Sequence, residues 1–184
     1  TVVEYIHPGN KLATIVAFNE AGVDTQVMKD VAMQVAAMNP IAINEEGVSA
    51  EYVANEREVA IEKTKAEQIQ KKVDNALSKA GINPAHVDTE AHIESNMSKG
   101  WITAEDAAKA REIIAKESAA AAASLNMNMI ENIVNGRIQK IYKEQTLLNQ
   151  AFIKDQKISV AQYLASASKT LTVTAFKRVT LNEE

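Results

Sequence analysis

The chain has 184 residues, 20 basic and 24 acidic side chains, a formal charge of -4 and no cysteine. That length suits one domain, or one domain with an appendage, and excludes a large multidomain enzyme. With 46% hydrophobic and 24% charged residues the chain has the balance of a folded protein with a real core. The acidic balance argues against phosphate neutralisation, which needs Lys and Arg in surplus on one face, so direct nucleic-acid binding is not expected.

The lack of cysteine removes disulfides, thiolate zinc sites and thiol nucleophiles together, and fits a reducing compartment. No apolar run reaches the ~18 residues of a membrane span, and residues 1–6 lack the basic start of a signal peptide. A cytoplasmic protein without a membrane partner is therefore expected. The chain opens on Thr1 in what reads as a strand, without an initiator Met, as a fragment or processed chain would.

Val2, Val3, Tyr5 and Ile6, then Leu12, Ile15, Val16 and Phe18, form two β-rich runs around His7-Pro8-Gly9-Asn10. Pro fixes φ and Gly supplies positive φ, so the spacing predicts a hairpin. Thr25 is the expected cap of a helix with Val27, Met28, Val31, Ala32, Val35 and Met38 at helical spacing, ended by Asn39-Pro40. Met28, Met33 and Met38 on that helix are read as core filling rather than as an adaptable interface.

Residues 49–80 contain no Gly or Pro and read as one long helix, with Ser49 as cap and Gly81 as left-handed stop. At roughly 45–50 Å it should project from a chain of this size. Its positions Ile69, Val73, Leu77 and Ala80 form a narrow, coiled-coil-like seam. A polar tip follows, with a short helix expected around residues 88–97 and Trp101 packing against the end. Thr103 and Asp106 then make a capping-box start for a helix running through Ala107, Ala110, Ile114 and the alanine run containing Ala121, expected antiparallel to the first.

Past Asn126 a third helix carries Ile130, Ile133, Val134, Ile138 and Ile141, and Gly136 inside it suggests close backbone packing. Residues 147–155 read as an apolar irregular segment, followed by a short helix from Ser159 and a closing strand over residues 171–181. The expected fold is α+β: a small antiparallel sheet of about three strands packed by helices, from which a long antiparallel helical hairpin protrudes. The boundaries are 1–66 and 127–184 for the core and 67–126 for the hairpin.

Catalytic signals are weak. His86, Asp88, Glu90 and His92 are possible metal ligands, but their spacing matches no zinc signature, and a polar tip collects such residues by chance. The carboxylate pairs Glu45-Glu46 and Glu183-Glu184 read as surface. No glycine-rich loop leads from a strand into a helix, and nothing arranges a nucleophile with a base. Neither a metal nor any other cofactor is expected. His7, exposed on a tight turn beside Pro8 and Gly9, is the residue best suited to a partner contact. These residues describe a non-catalytic interaction module rather than an enzyme.

Four blocks name a family. They are Val31-Ala32-Met33-Gln34-Val35-Ala36-Ala37-Met38-Asn39-Pro40, Ser49-Ala50-Glu51 leading to Glu56-Arg57-Glu58, Val134-Asn135-Gly136-Arg137, and Leu148-Asn149-Gln150-Ala151-Phe152-Ile153-Lys154-Asp155. In this order they resemble bacterial translation elongation factor Ts, the guanine nucleotide exchange factor of elongation factor Tu. The terminal strand and the Tyr5-Ile6-His7 hairpin add to the likeness, which covers most of residues 1–66 and 127–184. Residues 67–126 stand where the family carries its coiled-coil hairpin, here longer and not recognisable in sequence.

The resemblance implies that this chain is the carboxy-terminal, dimerisation half of the family's core. The family's amino-terminal module and the Thr-Asp-Phe-Val motif that releases GDP have no counterpart, and its last short helix is expected to be cut off after Glu184. It also implies that Tyr5, Ile6, His7 and Gly9 meet the third domain of elongation factor Tu, that Gly136 and Arg137 pack the hairpin base, and that Phe152 is core. An alternative is self-association, with Ile69, Val73, Leu77, Ile114 and Ala121 of the hairpin forming a homodimer.

Overall fold

The computed structural model describes residues 1–182, so the Glu183-Glu184 pair lies outside the described residues. The chain divides into two compact units: Thr1–Asn55 with Gly136–Glu184, and Glu56–Asn135. The helical unit takes in more of the chain than residues 67–126. Both the α+β class and the antiparallel sheet agree with the sequence reading.

In the first unit, β1 (Val2–Ile6), β2 (Leu12–Phe18) and β5 (Val173–Thr180) form an antiparallel sheet in the order β1-β2-β5. Val3 stands opposite Val16, which stands opposite Phe176, so every second residue of each strand faces the same side. That side is covered by α1 (Thr25–Met38), against which α6 (Val160–Ala167) packs. Val3, Val16, Phe18, Val31, Val35, Leu147, Phe152 and Leu164 form its core. On the other side Val2, Ile6, Ile15 and Val179 are exposed.

The first helix begins one residue earlier than expected. Asp24, not Thr25, is the cap: its carboxylate accepts the Gln26 backbone N–H at 2.9 Å, and Thr25 is already helical. Both residue types cap well, and Asp accepts more strongly because it is charged. At the far end Asn39 takes a left-handed φ of 43° and closes the helix before Pro40. Met28 fills the core at 2% exposure while Met38 is 46% exposed, so only part of the methionine set packs inside.

Residues 147–150 are turn and bend, as an irregular segment should be, but the rest of the 147–155 stretch is not irregular throughout. It holds β3 (Ala151–Phe152), which pairs antiparallel with β4 (Asp155–Ser159). A two-residue strand is too short to show a period of two, so the alternation signal had nothing to act on. Ser159 and Gln162 then cap α6 in a reciprocal box, Ser159 Oγ accepting at 3.1 Å and Gln162 Oε1 at 2.8 Å.

α2 (Ala50–Lys79) begins in the first unit, capped by Ser49 Oγ, which accepts the Tyr52 N–H at 3.1 Å. It ends in the second unit on Gly81 at φ +79°, where Ile82 N–H reaches Leu77 C=O at 3.0 Å and Gly81 N–H reaches Ser78 C=O at 3.0 Å. This pair of bonds is the Schellman stop, and its apolar partners Leu77 and Ile82 are both buried. After it come α3 (Glu90–Ser98), capped by Thr89, and α4 (Ala104–Ala123), which opens with the expected Thr103–Asp106 capping box. α5 (Met127–Gln145) starts in this unit, with Asn126 Oδ1 accepting from Met129 N–H at 3.1 Å, and finishes in the first unit.

Val73, Leu77, Ile82, Val87, Ile93, Ile102, Ala107 and Ala110 form the core of the helical unit, with Ile69 and Ile114 packed against it. Trp101 does not close it. At 62% exposure the indole lies over the surface against the His86 ring, and Ile102, a purely apolar side chain with no N–H to satisfy, enters the core instead. Gly136 also differs from expectation: an added Cβ would meet nothing within 4 Å, so no neighbouring backbone approaches there.

Candidate partner-binding site

The turn between β1 and β2 is rigid for local reasons. Pro8 has no N–H and a fixed φ, Gly9 stands at φ +99° and Asn10 at φ +57°. The His7 backbone closes the loop, its N–H donating to Leu12 C=O at 2.9 Å and its C=O accepting from Asn10 N–H at 3.0 Å. A side chain on such a turn is presented with little conformational freedom left to lose on binding.

The alternation of β1 divides the expected contact residues between two faces. Tyr5 stands opposite Thr14, whose hydroxyl donates to Ala32 C=O of α1 at 2.7 Å, so Tyr5 belongs to the helix-covered face and packs against the core. His7 follows it two residues on, with its Nδ1 3.0 Å from the Tyr5 hydroxyl and the rings 6.1 Å apart. Ile6 points the other way, 55% exposed, opposite Ala13, which stands opposite Val179. With Val2, Ile15 and Val179, 65%, 51% and 49% exposed, it makes an apolar patch on the open face of the sheet. Across that patch runs the row Glu4–Ile15–Lys177, one charge of each sign on either side of Ile15.

The residues assigned to a self-association seam are engaged inside the helical unit. Val73 and Leu77 are 3% and 1% exposed, Ala121 is 2% exposed, and Ile69 and Ile114 are partly buried against the same core. The apolar surface that a second copy would need there is already covered by this chain. The four residues of the tip do not converge either: His92 Nδ1 bonds the Asp88 carboxylate, Glu90 is held by the Arg111 guanidinium, and the His86 ring lies against Trp101 at 5.8 Å. Partnered in this way, the Asp88 and Glu90 carboxyls titrate below their ordinary values, with hydrogen bonding to His92 and Arg111 as the main cause.

Two buried polar groups on α1 went unread in the sequence. Asp30, 4% exposed, accepts from Lys154 Nζ at 2.6 Å, Tyr163 Oη at 2.6 Å and Gln26 Nε2 at 2.9 Å. Burial pushes its carboxyl up, but the three donors and the Lys154 charge outweigh that and hold it below the ordinary value. Burial, together with the Asp30 carboxylate, pushes the Tyr163 phenol well above its usual range. Gln34, fully buried, donates to Gln150 Oε1 at 3.3 Å and Ala151 C=O at 3.0 Å, and accepts from Ile153 N–H at 2.8 Å. The signal was available: two polar residues four apart inside the apolar stripe of one helix are on its buried face and must find partners there.

These bonds join the first and last of the four sequence blocks, since Gln34 belongs to one and Gln150, Ala151 and Ile153 to the other. Phe152, 3% exposed, stacks on Tyr163 at 3.9 Å between them. A family whose blocks meet in this way should match along the whole chain. The family model for elongation factor TS matches residues 1–83 and 76–183. The chain is 62% identical over 175 residues to elongation factor Ts of Bacteroides thetaiotaomicron, covering 95% of this chain and 53% of that protein. It belongs to the elongation factor Ts family. Against elongation factor Ts of Bacteroides fragilis the identity is 58%, covering 100% of this chain and 56% of the relative. Against that of Porphyromonas gingivalis it is 36%, covering 99% and 46%. The chain thus spans about half the length of the curated relatives it matches, and the elongation factor Ts likeness includes the helical unit that sequence reading alone did not recognise.

Proposed function

We propose that this chain is the docking half of a guanine nucleotide exchange factor, binding the third domain of elongation factor Tu through the His7 turn during translation in the cytoplasm. It catalyses no covalent chemistry. The observation that carries the reading is the family match over the whole chain, combined with a histidine held on a rigid, exposed turn where the resemblance expects a contact. Among the described residues no helix is long and apolar enough to cross a membrane.

An exchange factor must bind the nucleotide-free partner more tightly than the GDP-bound one, and the coupling is reciprocal. Contacts equal in both states add affinity without exchange. The His7 turn is assigned to that equal part. Light scattering behind size exclusion, with nucleotide-free elongation factor Tu, should give a peak of summed mass. His7→Ala should weaken the complex by about tenfold or more, while GDP dissociation stays near its unassisted rate. Absence of the peak, or strong acceleration of GDP release, would overturn the reading.

A second reading, a homodimer, is supported at a different place from the hairpin seam. Val2, Ile6, Ile15 and Val179 lie exposed on one sheet face, and the Glu4–Ile15–Lys177 row suits a two-fold contact, in which each copy's Glu4 can meet the other's Lys177. The chain alone should then scatter with twice its mass, and Ile15→Glu should return it to a monomer. A wild-type monomer at high concentration would remove this reading.

A further inference from the structure

Resting on the docking role of His7, we propose that Tyr5 is a positioning residue. It selects the His7 tautomer protonated on Nε2, so that the turn offers its partner a hydrogen-bond donor and recognises an acceptor, a backbone carbonyl or a carboxylate.

The Tyr5 hydroxyl lies 3.0 Å from His7 Nδ1, and the Tyr5 ring is anchored against the core. Of the two ways to place the proton, one is favoured. A phenol is a good donor and a poor acceptor because its oxygen lone pair is drawn into the ring, whereas the unprotonated imidazole nitrogen is a strong acceptor. The hydroxyl therefore donates to Nδ1, and the ring proton is left on Nε2, since the bond made by one ring nitrogen sets the state of the other. The His7 main-chain N–H and C=O are both taken within the turn, at 2.9 Å and 3.0 Å. Nε2 has no hydrogen-bond partner among the described residues. It is the free polar atom at the end of a side chain held at both its backbone and its ring.

The deciding measurement needs no partner. Two-bond nitrogen–proton spectra of the full chain at about pH 8, where an ordinary imidazole is neutral, report which nitrogen of His7 is protonated. The expected result is Nε2–H in the wild type and a mixture of tautomers in Tyr5→Phe, with unchanged core amide shifts showing that the variant is folded. Protonation of Nδ1 in the wild type, or the same tautomer population in both proteins, would overturn the proposal.

A binding cycle with elongation factor Tu then separates positioning from mere packing. Tyr5→Phe should weaken docking by about threefold to tenfold in the wild type, and by nothing further in a His7→Ala background. An equal loss in both backgrounds would overturn the positioning role. If His7→Ala docks as well as the wild type, the docking assignment fails, and the tautomer spectra still decide what Tyr5 does.

Discussion

Asp30 shows how a single buried charge ties the core of the first unit together. It takes bonds from Lys154 of the β3–β4 turn, Tyr163 of α6 and Gln26 of its own helix. A buried carboxylate is tolerable only when its oxygens are fully engaged, and removing the charge leaves three donors without their best acceptor. Asp30→Asn should therefore cost about 1–3 kcal/mol in urea unfolding at neutral pH. The folded carboxyl titrates below its ordinary value near 3.8. Its stabilisation is thus fully present above that value and is lost as pH falls through the lower, folded one. The gap between wild type and Asp30→Asn should narrow in acid, and a gap independent of pH would exclude this role. Gln34 is the neutral counterpart: it is fully buried and holds the segment at residues 150–153 with bonds at both ends of its amide.

At the scale of elements, the long helices contain one residue that neither sterics nor φ requires. Gly136 lies inside α5 without a positive φ, and a methyl group added at its Cα would have no neighbour within 4 Å. Gly in a helix interior costs about 0.5–1 kcal/mol relative to Ala. Gly136→Ala should recover about that amount in denaturant unfolding, and a loss would show a close contact after all. The seam of α2 behaves oppositely. Leu77, 1% exposed, packs in the helical core and supplies the carbonyl of the Schellman stop. Leu77→Ala should destabilise the helical unit by about 2–5 kcal/mol, read by hydrogen exchange in α2 and α4, while docking through the His7 turn is retained. Equal loss of docking would mean that the partner reads the helical unit as well.

At the scale of the whole molecule, the division of labour follows from what the chain contains. The His7 turn and the open sheet face both lie in the first unit, and both are preformed: one is locked by Gly9 and Asn10, the other by three paired strands. Preformed surfaces bind without an ordering cost, but they bind both nucleotide states of a partner alike unless the partner itself changes shape there. That is why unchanged GDP release is the expected companion of a stable complex. It is also why the two properties have to be measured on the same sample.

Local chemistry was legible in the sequence. The hairpin, the caps at Ser49 and Thr103, the Gly81 stop and the closing strand depend on residues next to one another, and short-range sterics and hydrogen bonds decide them. So does membership of the elongation factor Ts family, because its blocks are contiguous strings. Long-range pairing was not legible. That Trp101 stays out while Ile102 goes in, that Asp30 is met by Lys154 and Tyr163, and that Gln34 is met by Gln150 and Ile153 all depend on residues far apart in the chain. Their cost or gain exists only once the chain has folded. Periodicity could say that Tyr5 and Ile6 face opposite ways. Only the tertiary structure decided which of those ways is covered by α1, and so that Ile6 rather than Tyr5 stays exposed.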